Sequence, residues 1–234
     1  MKICLAQTTS FKGDIEKSFS QHLSKIHQAI GQAADLIVFP ELSITGYETK
    51  LAKSLATTVN DSIFDTFERI ATRDEITICI GMPIQSVTGK DIYISMLIFQ
   101  PHQERKCYSK QLLHTDEKPY FVEGSQPMIF TVKSKKIAPG ICYETLQLRH
   151  LDEAIANKAD IYLASVAKSV IGLDTADLYY QKIAAEYTIP VLMVNAVGPC
   201  DNFVSAGQSA VWNEKGKLAG RLKEKESGLL FCKI

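Results

Sequence analysis

Net charge is the first thing this sequence lacks: 26 Lys+Arg balance 26 Asp+Glu over 234 residues. A balanced chain has no general electrostatic pull toward nucleic acid or an anionic membrane surface, so neither is expected as a partner. With 46% apolar and 22% charged residues, the composition is that of a folded protein and not of a disordered one. No run approaches the ~18 apolar residues of a membrane span. The opening segment Met1–Asp14 has an apolar patch too short for a secretory signal and reads as a first strand. The six cysteines (Cys4, Cys79, Cys107, Cys142, Cys200, Cys232) include no C-x-x-C pair. That argues against a disulfide framework or zinc cluster and points to a reducing, cytoplasmic setting. H-E-x-x-H, G-x-x-x-x-G-K-[ST] and G-x-G-x-x-G are all absent, so no metal or organic cofactor is expected. With no Gly/Ser/Pro-rich linker and no repeat, one domain over residues 1–234 is the economical organisation.

What is present is an alternation of strands and helices. Ile15, Phe19, Leu23, Ile26, Ile30 and Ala33 recur at steps of three and four, the buried stripe of an amphipathic helix. Leu36–Phe39 is a short apolar strand stopped by Pro40, and Ile76–Ile80 a second one, ended by Gly81 and Pro83. A helix is expected over Ser62–Thr72, and strands over Ile92–Phe99 and Arg105–Tyr108. Then follow strand Ile137–Tyr143, helix Leu146–Asn157, strand Ile161–Ser165, helix Asp174–Tyr187 and strand Val191–Asn195. Gln208–Trp212 and Gly228–Cys232 are the last strands. Lys133–Lys136 and Lys223–Glu226 read as solvated turns. Apolar strands interleaved with helices imply a sheet covered by helices, and the adjacent strands imply hairpins, so the sheet should be mixed.

Three reactive residues interrupt apolar sequence. Glu41 follows the strand Leu36–Phe39, where an α/β sheet presents its ligand groups. Desolvation there would raise its pKa and suit it to general-base work, although a solvated glutamate capping the next turn reads as well. Cys142 closes Ile137–Cys142 before a helix, where backbone dipoles favour a thiolate and N–H groups could hold an oxyanion. It could equally be a small buried hydrophobe. Lys110 follows Arg105–Tyr108 and could be a lysine lying along the surface. His150 and His114 leave a Cys–His pair with Cys142 open.

These contexts together resemble the nitrilase superfamily of carbon–nitrogen hydrolases. Phe39-Pro-Glu-Leu-Ser-Ile-Thr-Gly-Tyr47 is similar to its glutamate signature, Tyr108-Ser-Lys-Gln-Leu112 to its lysine signature, and Gly140-Ile-Cys-Tyr-Glu144 to its cysteine signature. The separations of 69 and 32 residues suit the family. Gly81-Met-Pro83, Tyr93-Ile-Ser95, Lys158-Ala-Asp-Ile161, Val194-Asn195 and Gly207–Val211 match further motifs. Three departures stand out. Ile94 replaces an asparagine, Ile183 and Tyr187 replace the arginine and asparagine of a helix motif, and Ser165–Ser169 lacks the usual tryptophan.

The resemblance implies a four-layer α-β-β-α sandwich with two mixed β-sheets, in a homodimer or larger homo-oligomer. It implies a triad of Glu41 as base, Lys110 as oxyanion cation and Cys142 as nucleophile. Glu117 would position lysine and substrate, and the Tyr143 backbone N–H would assist the oxyanion. The implied reaction releases ammonia from a small amide through a thioester. Tyr143-Glu144, where true nitrilases usually have Trp-Glu, favours small ω-amides or N-carbamoyl compounds over nitriles, ω-amides first. N-carbamoyl amino acids and nitriles are the alternative substrates, and a non-catalytic binding or regulatory module is the alternative from a different class. The absence of an ATP-using domain sets the glutamine-dependent synthetases aside.

Overall fold

A computed structural model describes residues 1–234. Apolar side chains alternate along its strands, and the alternation sorts them into layers. In β1 (Lys2–Gln7) and β2 (Leu36–Val38), Ile3, Leu5, Leu36 and Val38 face one way while Cys4, Ala6 and Ile37 face the other. Both faces are buried, which is why these strands read as unbroken apolar runs. Helix α1 (Ile15–Gly31) begins at Asp14, whose side chain accepts the Lys17 N–H at 3.0 Å, an N-cap worth about 1 kcal/mol.

Twelve strands form two six-stranded sheets. The first has the order β14-β1-β2-β3-β4-β5, adding β3 (Thr77–Gln85), β4 (Ile92–Phe99), β5 (Lys106–Ser109) and β14 (Gly228–Lys233). The second has the order β13-β12-β9-β8-β7-β6, built from β6 (Phe130–Val132), β7 (Lys135–Ile141), β8 (Ile161–Val166), β9 (Val191–Asn195), β12 (Ala210–Trp212) and β13 (Leu218–Arg221). Each contains parallel and antiparallel pairs. A separate hairpin joins β10 (Val197–Cys200) to β11 (Phe203–Ala206). Ile3, Leu5 and Val38 of the first sheet meet Ile137, Leu163 and Val194 of the second in the central core. Helix α1 and α3 (Asp65–Arg73, after the short helix α2, Ala52–Leu55) cover the outer face of the first sheet. Helices α4 (Leu148–Ala156) and α5 (Val170–Glu186) cover that of the second. This is the expected α-β-β-α sandwich. No helix is long and apolar enough to cross a membrane.

Several boundaries differ from the sequence reading. β7 stops at Ile141, and Cys142 opens a single tight turn, Cys142–Leu146, ahead of α4. Helix α5 starts four residues early, at Val170, where the Ser169 hydroxyl accepts the Gly172 N–H. Lys135 and Lys136 belong to β7, because Phe130–Val132 pairs with them as a hairpin. β6, β10, β11 and β13 are not expected from the sequence; all are short, and in the last three polar or glycine content hides any alternation.

β3 also runs through Gly81 and Pro83. The Pro83 carbonyl accepts Thr57 N–H on the side away from β4, so the missing proline N–H removes no bond of the β3–β4 ladder. A Cβ on Gly81 would lie 2.4 Å from Leu42 N and 2.6 Å from Pro40 O, both backbone atoms of the loop that carries Glu41. Gly81→Ala should therefore destabilise the fold by about 2 kcal/mol or more, as overpacking against backbone does. Urea unfolding checks this, and a midpoint equal to wild type would count against so tight a contact.

Candidate functional site

The carboxyl ends of β2, β5, β7 and β8 come together at one end of the two sheets. The loop after β2 delivers Glu41, and Leu42 beside it has a left-handed φ of 49°. Lys110 follows β5, and its N–H donates to the Ile94 carbonyl at 2.8 Å. The asparagine-to-isoleucine departure thus leaves a main-chain support of the lysine in place, while the Ile94 side chain packs into the core. Cys142 follows β7 with φ 49°, a conformation costly for a non-glycine residue and concentrated at functional sites. The Ser165 hydroxyl on β8 donates to the Phe39 carbonyl at 2.9 Å and ties the two sheets at this level.

Glu41, Lys110 and Glu117, distant in sequence, form one buried cluster. Lys110 Nζ donates to Glu41 Oε1 at 2.8 Å and to Glu117 Oε1 at 2.6 Å, with all three side chains at most 1% exposed. Glu117 is further held by the Tyr47 hydroxyl at 2.9 Å and the His114 N–H at 2.8 Å. Glu41 Oε2 has no partner. One cation thus serves two carboxylates, and the less well satisfied of them takes up a proton more readily. Burial pushes the Glu41 carboxyl up to about 7, against the pull of Lys110 and with Glu117 adding to the rise. Burial acts to lower the Lys110 ammonium, but Glu41 and Glu117 more than offset it and hold it above the ordinary lysine value.

Cys142 is half-buried, its Sγ 3.7 Å from the Ala167 carbonyl oxygen. It lines a cleft of about 430 Å³ with Tyr47, Glu117, Tyr143 and Lys168. Burial pushes the thiol up to about 11, Glu41 adding to the effect and Lys168 and Lys110 opposing it. This differs from the expectation that a helix terminus favours the thiolate. The segment after Cys142 is a single turn of five residues, and desolvation outweighs whatever dipole it has. Tyr143 stands beside the cleft with its ring against His114.

A Cys–His pair is not formed. His150 Nε2 pairs with the Tyr108 hydroxyl at 2.8 Å and its Nδ1 with the Tyr162 hydroxyl at 2.7 Å, and burial lowers it to about 4, so it is neutral. His114 is bonded to Asp116.

Glu144 closes the cysteine motif, and the structure gives it a role. Fully buried, it accepts N–H bonds from Ile141 (2.8 Å), Gln111 (2.6 Å) and Leu112 (3.2 Å), and the Tyr108 hydroxyl at 2.7 Å. One carboxylate therefore bolts the loop after Lys110 to the residue before Cys142. Spacing could not reveal this, since the partners are main-chain groups. Ile183 packs with the core beneath α5 and Tyr187 caps that helix; neither lines the cleft. The missing tryptophan leaves Ala167 and Lys168 on the wall instead.

The carbon–nitrogen hydrolase family matches residues 2–234. The glutamine-dependent NAD(+) synthetase of Acinetobacter baylyi is 24% identical over 224 residues, covering 93% of this chain and 41% of its own. A Schizosaccharomyces pombe protein named "Probable nitrilase" is 24% identical over 226 residues, covering 93% of this chain and 82% of its own. The chain spans 41% of the length of the first synthetases it matches, and the expectation that set such enzymes aside gains no support from these relatives. A mutant of the amidase from Nesterenkonia sp. AN1 superposes with a TM-score of 0.90 at 24% identity, over 100% of this chain and 93% of its own. The synthetase of Acinetobacter baumannii gives 0.88 at 24% identity, over 98% and 44%. With the family match running through all three motif loops, this chain belongs to the carbon–nitrogen hydrolase family.

Proposed function

We propose that the chain hydrolyses the carbon–nitrogen bond of a small primary amide through a Cys142 thioester, as one unit over residues 1–234. The observation that carries this reading is the Glu41–Lys110–Glu117 cluster, whose Glu117 lines the same cleft as Cys142. A largely protonated thiol needs a base, and a carboxyl poised near neutrality is suited to accept its proton. As Sγ attacks the carbonyl carbon, the thiol proton passes to Glu41. An ammonium has three N–H bonds; two of those on Lys110 are taken by Glu41 and Glu117, and the third meets the oxyanion together with the Tyr143 N–H. Collapse breaks the C–N bond, Glu41 returns the proton to the nitrogen, and ammonia leaves. Water then loses a proton to Glu41 as its oxygen attacks the thioester. The C–S bond breaks, the acid departs and the thiol is regenerated.

The amidase from Nesterenkonia sp. AN1 has been seen with acrylamide added at its active-site cysteine, which supports a cysteine-centred reading here. A second reading, release of ammonia from glutamine for use elsewhere, is favoured by the synthetase relatives. Ammonia release from glutamine, ω-amides, aliphatic amides, N-carbamoyl amino acids and nitriles tests both. Turnover of none of them, with Cys142 inert to iodoacetamide, would leave only a binding module.

The pH dependence has a definite sign. Glu41 must be ionised to accept the thiol proton, and burial holds its carboxyl near 7. The ratio kcat/KM, which reports the free enzyme, should rise with pH through about 7 and then level. A profile flat from about pH 5 to 8 would remove Glu41 from the role of base.

A further inference from the structure

Lys168 is a cation on the cleft wall without a counter-ion. It follows β8, is 7% exposed and lines the same cleft as Cys142. Its main chain is clamped at three points. The N–H donates to Asn195 Oδ1 at 2.8 Å, and the carbonyl accepts from Asn195 Nδ2 at 3.1 Å and from Ala206 N–H at 2.9 Å. A stem rooted in so fixed a backbone loses little further freedom on binding a ligand. The other charged groups of the cleft have partners: Glu117 is paired with Lys110, and Asp116 is hydrogen-bonded to His114. Lys168 Nζ makes no salt bridge or hydrogen bond, yet is not sealed from solvent. A nearly buried ammonium without a partner forgoes stabilisation that an anion would restore. Leu146, Ala167 and Phe203 supply apolar wall in the same cleft.

We propose that Lys168 is a specificity-determining residue that binds a carboxylate on the substrate, selecting among amides those whose methylene chain ends in that group. The amide carbon then sits at Cys142, the methylene chain lies along Leu146 and Phe203, and the carboxylate meets the ammonium. The inference rests on the amidase reading, but it is tested by binding.

Two ligand pairs isolate the carboxylate: glutaramate against pentanamide, and succinamate against butyramide, each exchanging a carboxylate for a methyl group. In the Cys142→Ala protein at neutral pH, calorimetry should show the charged member of at least one pair binding about tenfold or more tighter, the scale of a charge-assisted hydrogen bond. Adding Lys168→Met should collapse that ratio to near one. Lys168→Arg should retain part of it, and Lys168→Gln is the second neutral variant should the methionine protein not fold. Equal affinities within both pairs, or a preference that survives loss of the lysine charge, overturns the proposal. An effect of Lys168→Met equal on both members of a pair means that Lys168 acts through the thiol, and overturns it likewise. Ammonia release by the wild-type protein is scored separately. A preference that depends on Lys168, without turnover of any amide, would refute the amidase reading and leave the carboxylate site standing.

Discussion

Cys142→Ala should lower ammonia release by at least about 10⁴-fold, since removal of a nucleophile costs about 10⁶ in well-studied hydrolases. The arrangement makes this a clean substitution. The thiol's one hydrogen bond in the structure runs to the Ala167 carbonyl at 3.7 Å, so few contacts are lost. Alanine also has a Cβ, so the left-handed backbone at φ 49° is no worse occupied than before. The variant should thus keep its fold and the Glu41–Lys110–Glu117 cluster while losing the chemistry. Acid quenching during turnover, followed by mass spectrometry, should find the acyl group on the wild-type protein and none on the variant. Wild-type rates of ammonia release by Cys142→Ala would end the thioester mechanism.

How much of this was legible in sequence depends on which groups make each contact. The layers were legible because alternation in Ile3–Leu5 and Leu36–Val38 and the three-four stepping of Ile15–Ile30 record burial directly. Glu41, Lys110 and Cys142 were named through the resemblance their motifs carry; the structure bonds Lys110 to Glu41 and to Glu117, and Glu117 lines the cleft with Cys142. Glu144 was not, because its partners Ile141, Gln111 and Leu112 are backbone N–H groups that no side chain announces. Lys168 was hidden for another reason. It ends the run Ile161–Ala167 as any lysine ends a strand, and only the fold shows that it turns into the cleft unpaired. The strand through Pro83 was obscured because proline ordinarily breaks a ladder, and here its nitrogen faces away from β4.

Lys110→Met tests the cluster on two axes at once. Methionine matches the length of the stem but removes the cation that Glu41 and Glu117 share. Losing the oxyanion donor should cost roughly 10³-fold in kcat, the upper range for a single donor. Stability should fall by about 3–5 kcal/mol near neutral pH, the cost of leaving buried charge unpaired. The two effects separate by pH. Without the ammonium, the Glu41 carboxyl, already pushed up by burial, titrates in the folded state still further above its unfolded value of about 4.3. A group raised in this way is most stabilising below its unfolded pKa, and that stability is lost as pH rises through the folded value. The deficit of Lys110→Met relative to wild type should therefore be largest at alkaline pH and shrink as pH falls toward about 4. Urea unfolding at three pH values reads it directly. Activity should not return over the same range, since protonating the carboxylates supplies no oxyanion donor and takes away the base. A stability deficit independent of pH would mean that Lys110 contributes packing and not charge, and the shared-cation account of this site would have to be given up.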